Sequence, residues 1–175
     1  MALNRTDFQS LVDEHGPALY RLAYRLNGDA HDAEEIVQET FRSAWSSRDR
    51  FDSTRGERAW LASILRRRSA DRWRQVGRTL PATSGDHVLD YSVEDDDPLE
   101  QGYTDKMQAA LGRLPDEMRE ALLMVIVGEL THQETADALG APLGTILSRV
   151  SRGRQRLRDE LLKIERGEGN AALSH

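Results

Sequence analysis

GELTHQETADALGAPLGTILSRVSRGRQRL, residues 128–157, is the stretch that decides the fold of the C-terminal half of the chain. Thr131 followed by Glu134 has the spacing of a capping box, which predicts a helix that begins here. Gly140 suits a left-handed residue at the end of that helix, and Pro142 prevents the helix from continuing. The pattern predicts a helix, a tight turn and a second, basic helix, which is the arrangement that places one helix in the major groove of DNA.

The second helix of this pair is expected to begin with Thr145 as its N-cap. Ile146, Val150 and Leu157 have the spacing of an inward face, so basic and polar side chains remain to face outward. We expect this outward surface to contact phosphates and base edges, with Leu147 either against a thymine methyl group or under an inhibitory partner. The expected DNA contacts are Thr145, Leu147, Ser148, Arg149, Arg152, Arg154 and Arg156.

The charge of the chain is distributed in blocks, although the formal net charge is −6. Residues 77–106 contain eight acids and two bases, so the whole excess of negative charge lies there. Residues 55–74 contain seven arginines and two acids, and residues 149–158 contain five arginines and no acid. Two basic surfaces therefore flank an acidic segment, and the overall charge does not argue against DNA binding.

The composition excludes several classes of protein. The chain has no cysteine, which excludes disulfides, thiol catalysis and cysteine-bound metal centres. Its five histidines are scattered and are expected at the surface, and no glycine-rich phosphate loop or Ser-His-Asp pattern is present. We therefore expect a protein that is not an enzyme and has no metal site and no cofactor. No apolar run approaches the roughly 18 residues of a membrane span, and no secretory signal is recognisable, so we expect a cytoplasmic protein without membrane insertion.

The N-terminal half is predicted to be helical. The first helix is expected to be broken or kinked at Gly16-Pro17. Residues 29–46 place apolar side chains on one face at helical spacing, which is typical of a core helix. Residues 57–75 repeat the pattern, and arginines occupy most of the remaining positions. A strongly basic amphipathic helix is therefore predicted there, with Trp60 and Trp73 expected mainly in the core and stacking on an unpaired base as the alternative for Trp73.

Both halves resemble the sigma-70 family of initiation factors, especially its small extracytoplasmic-function (ECF) group. The stretch quoted first is similar to the family's promoter-reading region 4, G-x-[ST]-x-x-E-[IT]-A-x-x-L-G-x-x-x-G-T-[VI]-x-S-R-[VIL]-x-R-[AG]-R. DAEEIVQETFRSAW, residues 32–45, resembles region 2, D-A-E-D-[LI]-V-Q-E-[TA]-F-x-x-A-[WY]. In the family this helix grips a coiled coil of the largest polymerase subunit. The resemblance therefore implies polymerase contacts by Asp32, Glu35, Gln38 and Glu39.

WLASILRRRSADRWR, residues 60–74, resembles the family's W-L-x-x-I-A-x-N-x-x-x-D-x-x-R, the helix that opens the minus-ten promoter element. The resemblance implies DNA contacts by this basic helix, and the arginines provide a groove for the phosphate backbone. Arg67 stands where the family commonly has Asn, which changes the expected base preference, since Asn suits adenine and Arg suits guanine or phosphate. The expected minus-ten residues are Arg66, Arg67, Arg68, Asp71, Arg72 and Arg74.

The sequence thus predicts an all-α protein of two small helical domains joined by an acidic flexible linker. The predicted parts are a region-2-like domain at 1–76, a linker at 77–106, a helix-turn-helix domain at 107–164 and a mobile tail at 165–175. The linker is either a solubilising tether or a strip that runs through a positively charged channel of polymerase. The expected function is that of an alternative sigma factor, with core RNA polymerase, promoter DNA and an anti-sigma factor as partner classes; a free-standing helix-turn-helix regulator is the alternative.

Overall fold

The computed structural model describes residues 3–76 and 98–167, and within these ranges the chain is helical and has no strand. Two 3-10 turns, Arg48–Arg50 and Ser53–Arg55, connect the second helix to the third. The all-α class expected from the sequence is confirmed. The seven α-helices of the described residues are α1 (Arg5–Asn27), α2 (Ala30–Ser46), α3 (Glu57–Val76), α4 (Pro98–Gly112), α5 (Asp116–Ile126), α6 (His132–Leu139) and α7 (Leu143–Glu165).

The first helix, α1, runs without a break through Pro17, so the predicted interruption is wrong. Proline removes one backbone hydrogen bond, but Leu11, Leu19 and Leu22 are all buried on the same side of the helix. Packing of this continuous apolar face outweighs the local cost of the proline. The helix ends at Gly28, which has a φ of 75° and donates its N–H to the carbonyl of Tyr24.

The helix-turn-helix is formed by α6 and α7. Its predicted capping box is confirmed: Glu134 N–H donates to Thr131 Oγ1, and Thr131 N–H donates to the Glu134 carboxylate, each over 3.0 Å. Gly140 has a φ of 63° and ends α6 as expected. The predicted N-cap Thr145 is wrong, because α7 begins at Leu143, and the carbonyl of Pro142 accepts from the N–H of Ile146. Thr145 therefore lies in the first turn of the helix.

The helix α4 covers the end of the predicted linker. Residues 77–97, most of the predicted linker, lie outside the described part of the chain, and its last residues, 98–106, are helical because α4 begins at Pro98. Proline is well suited to the first position of a helix, and burial of Ala110 and Leu111 stabilises the far end of α4. Most of the predicted mobile tail, residues 168–175, also lies outside the described part.

Residues from both halves of the chain belong to one hydrophobic cluster in the described part of the structure. Gly128 is closely packed at this junction: a Cβ atom there would lie 3.4 Å from Leu22 of α1 and 2.7 Å from the carbonyl oxygen of Met124. A second, smaller cluster that includes Leu122, Ile146 and Val150 holds the helix-turn-helix together. The shared cluster includes Leu22, Leu61, Leu65, Leu111, Leu123, Met124 and Leu130.

Polar contacts cross the same boundary between the halves. Arg119 of α5 is 4% exposed, and its guanidinium lies 4.5 Å from the ring centroid of Trp73 on α3. Burial lowers the pKa of Arg119 from its ordinary value, against the attraction of Asp116. The other contacts across the boundary include Arg66 with Glu120 at 2.6 Å, Arg58 with Glu129 at 3.3 Å, and the side-chain amide of Gln108 with the carbonyl of Arg25 at 3.1 Å.

Candidate functional site

A polar groove between α2 and α3 unites two sets of residues that the sequence assigned to different partners. The groove has a volume of about 440 Å³ and is open to solvent. Apolar side chains pack α2 on α3 beneath it, and the polar positions of both helices form its walls. The expected polymerase contacts and expected minus-ten contacts therefore meet in one place. The lining residues are Glu35, Ile36, Gln38, Glu39, Arg42, Arg68, Asp71, Arg72 and Gln75.

The four expected polymerase residues differ in their availability. Asp32 is the least accessible, with a side chain that is 16% exposed. The side chain of Glu35 is 47% exposed, and Gln38 is also exposed. Glu39 accepts a hydrogen bond of 2.9 Å from Arg42, one turn further along α2. An incoming protein can therefore reach Glu35, Gln38 and Glu39 more readily than Asp32.

Arg72 joins the two walls of the groove. Its Nε donates to Asp32 Oδ1 over 2.9 Å, and its Nη2 lies 3.1 Å from Glu35 Oε2. The hydrogen bond to Asp32 raises the pKa of Arg72 above its ordinary value, so the guanidinium is charged at any physiological pH. One expected minus-ten residue is therefore bound to two expected polymerase residues.

The remaining minus-ten residues fall into two groups. Arg66 is engaged by Glu120 of α5, and Arg68 donates from Nη2 to Ser43 Oγ over 2.8 Å. Arg67 is exposed, and the exposed Arg74 contacts only Asp71 of the same helix among the contacts described. Exposed pairs of this kind are weak, so Arg67 and Arg74 have the side chains most easily turned toward a phosphate.

Both tryptophans of α3 have structural partners. Trp60 is half-buried against the shared core, and its ring centroid lies 4.7 Å from that of Phe51. Trp73 has its ring against Arg119 from the other half of the chain. The core position expected for Trp60 is confirmed, and one face of Trp73 is covered by a cation rather than left for a base.

The outer surface of α7 carries the seven side chains expected to read DNA. Its inward residues Ile146 and Val150 are buried as expected, and Gly153 is buried beside Leu122. Leu147 is 48% exposed, and Arg152, Arg154 and Arg156 are also exposed. Ser148 and Arg149 are partly buried, and Arg149 is 3.3 Å from Glu117 of α5.

Sequence reasoning missed some residues of these surfaces. Arg42 and Gln75 line the groove but were not singled out. Arg42 follows Glu39 by three residues on a helix, and that spacing was a usable signal for a pair on one face. Leu143 is an exposed apolar residue one turn before Leu147 on the same face of α7, but it lay outside the helix predicted to begin at Thr145.

His15 is buried, so the expectation that every histidine lies at the surface is wrong. It lies one turn from Leu11 and Leu19 on the buried face of α1, and its Nε2 is 3.3 Å from Glu57 Oε2. With Glu14, these side chains place three possible metal ligands within 4.8 Å of one another. Contact with Glu57 satisfies the buried imidazole and ties α1 to the start of α3.

No helix in the described ranges is both long and apolar enough to cross a membrane.

Comparison with known proteins identifies the two halves separately. Residues 11–79 match Sigma-70 region 2, and residues 104–157 match Sigma-70, region 4. The first range contains the groove between α2 and α3, and the second contains α6 and α7 up to Leu157.

Individual relatives agree with these matches. The chain is 38% identical over 161 residues to the ECF RNA polymerase sigma factor SigE of Mycolicibacterium smegmatis, an alignment that covers 89% of this chain and 62% of that longer protein. It is 30% identical to the ECF RNA polymerase sigma factor SigW of Bacillus subtilis, with 88% of each chain covered. The sigma factor RpoE from Bartonella quintana, solved in complex with the anti-sigma factor NepR, superposes with a TM-score of 0.72 at 31% identity and covers 90% of this chain and 98% of that chain. The chain therefore belongs to the extracytoplasmic-function group of the sigma-70 family, the sigma factors of bacterial RNA polymerase.

Proposed function

We propose that this alternative sigma factor docks on core RNA polymerase through the exposed acids and amide of α2, and that this docking places α3 on the minus-ten element of a promoter. The observation that carries the proposal is the shared groove, in which Glu35, Gln38 and Glu39 face the basic side of α3. Acidic side chains at the rim of an interface increase the rate of docking on a basic partner. The protein catalyses no bond-making step in this role, and it acts in the cytoplasm, where polymerase and DNA are found.

We further propose that α7 reads the minus-thirty-five element. A recognition helix contacts base edges mainly through its N-terminal residues, here Thr145, Leu147 and Ser148. Arg149, Arg152, Arg154 and Arg156 follow and provide contacts to phosphates. Leu147 offers an exposed apolar side chain to a thymine methyl group, and a partner protein such as an anti-sigma factor could cover the same leucine in the inhibited state.

Transcription in vitro with purified bacterial core polymerase on a genomic fragment library tests the polymerase contact. Glu39→Lys reverses a charge in the groove, and we expect it to abolish the specific transcripts of the parent protein. Glu34→Lys is the matched control, because Glu34 lies on the same helix but does not line the groove, and its charge raises the pKa of Tyr20 on α1. Equal loss of transcripts with both variants, or retention with both, would contradict docking through the groove.

Promoter binding by the holoenzyme tests the role of α7. Because each phosphate neutralised on duplex DNA contributes a log–log salt slope of about −0.9, Arg154→Ala is expected to make the slope shallower by about that amount. Leu147→Ala is expected to weaken binding by about 1 kcal/mol or more at one base position without a change of slope. A lone regulator would instead bind duplex DNA equally well without core polymerase, and the proposal would then fail.

A further inference from the structure

Arg72 and Asp32 form a contact between helices that are far apart in sequence. Both Nε and Nη2 of Arg72 donate to Asp32 Oδ1, over 2.9 and 2.5 Å, and the two residues are separated by 40 positions. Nη2 also reaches the carboxylate of Glu35, one turn along α2. A single guanidinium on α3 therefore holds two acids on α2, Asp32 through charge-assisted hydrogen bonds and Glu35 through an ion pair.

Both ends of this contact are held in place. The N–H of Asp32 donates to the side chain of the N-cap residue Asp29 over 2.8 Å, so the first turn of α2 is fixed. On α3, Arg68 lies one turn before Arg72 and donates to Ser43 near the other end of α2. The two arginines of α3 are therefore bound to opposite ends of α2.

We propose that Arg72 is a positioning residue rather than a DNA ligand, and that its contact with Asp32 sets where α3 presents Arg67 and Arg74 when α2 is docked. This inference rests on the proposed function. The guanidinium of Arg72 is already hydrogen-bonded to Asp32 and paired with Glu35, so a phosphate would compete with two carboxylates for it. Asp32 is largely covered by Arg72, whereas Glu35, Gln38 and Glu39 are accessible to polymerase.

Direct contacts and a positioning pair predict different losses of promoter opening in the double variant. If Asp32 bound polymerase and Arg72 bound DNA, their removal would affect different steps, and the losses would multiply. If Asp32 and Arg72 act as one unit, removal of either residue would lower promoter opening by the same factor. Removal of both would lower it little further. A positioning pair would also leave the salt dependence of promoter binding unchanged, because no phosphate contact is lost.

The test measures promoter opening by the holoenzyme at saturating core polymerase, with a fluorescent base analogue in the minus-ten element. The variants are Asp32→Asn, Arg72→Gln and their combination, each confirmed as folded at the assay temperature by circular dichroism. We expect each single variant to lower opening by about tenfold or more, the effect of one charge-assisted hydrogen bond, and the double variant to be no worse. Arg72→Lys keeps the charge and one donor, so it is expected to recover part of the loss, and it replaces Arg72→Gln if that variant does not fold.

Arg74→Gln is the matched arginine variant, since Arg74 lies on the same helix with its side chain exposed. We expect Arg74→Gln to make the salt slope of promoter binding shallower and Arg72→Gln to leave it unchanged. A shallower slope for Arg72→Gln, or losses that multiply in the double variant, would overturn the inference. Loss of polymerase affinity alone in Asp32→Asn, with normal opening at saturation, would also overturn it. Absence of any polymerase-dependent opening by the parent protein would overturn the proposed function itself, and the inference with it.

Discussion

Replacement of Met124 by alanine tests whether the two halves of this sigma factor unfold together. Met124 lies on α5 in the C-terminal half, is fully buried and belongs to the same cluster as Leu22 and Leu61 of the N-terminal half. Truncation of a buried methionine to alanine costs about 2–5 kcal/mol in free energy of unfolding. With a urea slope of about 2 kcal/mol per molar, this cost lowers the midpoint of unfolding by about 1–2.5 M.

The distribution of tryptophans provides a separate probe for the N-terminal half. All three tryptophans, Trp45, Trp60 and Trp73, precede residue 77. Tryptophan fluorescence therefore reports the unfolding of α1 to α3, whereas far-ultraviolet circular dichroism reports the helices of both halves. Because Met124 is part of the shared core, we expect Met124→Ala to lower the two midpoints together.

An unchanged fluorescence midpoint in Met124→Ala, with a lower dichroism midpoint, would refute the reasoning. That result would mean that the halves unfold independently and that the shared cluster contributes little to the N-terminal half. Gln155→Ala is the control, because Gln155 is exposed on α7 and its contacts are with residues of the same helix. Both midpoints of this control are expected to match those of the parent protein.

Three further changes follow from local geometry. Gly128→Ala places a Cβ atom 2.7 Å from the backbone oxygen of Met124, and we expect the free energy of unfolding, measured in urea, to fall by about 1–3 kcal/mol. An unchanged free energy of unfolding would show that the backbone at this position shifts without cost. Thr131→Ala removes the capping box of α6 and is expected to cost about 1 kcal/mol in the same assay, whereas Thr131→Ser should cost much less. Burial raises the pKa of Glu160, but hydrogen bonds from Lys163 and Arg113 outweigh this effect and hold the pKa below its ordinary value of 4.5. Ionised Glu160 therefore stabilises the fold above pH 4.5, and the advantage of the parent protein over Glu160→Gln should disappear as the pH falls through the lowered pKa, as thermal unfolding between pH 3 and 7 would show.

Local signals in the sequence predicted the helix-turn-helix correctly in most details. The capping box and Gly140 act through hydrogen bonds and dihedral angles within a few residues, so their effect can be read without tertiary structure. The start of α7 was predicted wrongly because Pro142 and Thr145 both suit a helix beginning. Pro142 can hold the extended conformation of an N-cap, and the helix begins at the earlier of the two positions.

Contacts between distant segments could not be predicted in the same way. Helical periodicity predicts which side chains of a helix face inward, but it does not show which helix they meet, so the place of Met124 in the shared cluster was not predicted. The separation of 40 residues between Asp32 and Arg72 is likewise outside the reach of helical spacing rules, unlike that of Glu39 and Arg42. The sequence therefore identified most of the charged residues of the groove, Arg42 excepted, but not how they pair with one another.

The pairing of arginines distinguishes the two proposed DNA surfaces, on α3 and α7. Arg149 is bound by Glu117, whose side chain is 75% exposed, and such a pair costs about 0–1 kcal/mol to exchange for a phosphate. Arg66 is bound by Glu120, with side chains that are 33% and 23% exposed, so this pair is less screened by water and salt. The Arg66–Glu120 contact also joins the two halves of the chain. Under the proposed function, Arg149 can therefore exchange its partner for a phosphate at little cost, whereas Arg66 must first break its contact with Glu120, so the exposed Arg67 and Arg74 are the first arginines of α3 available to a promoter.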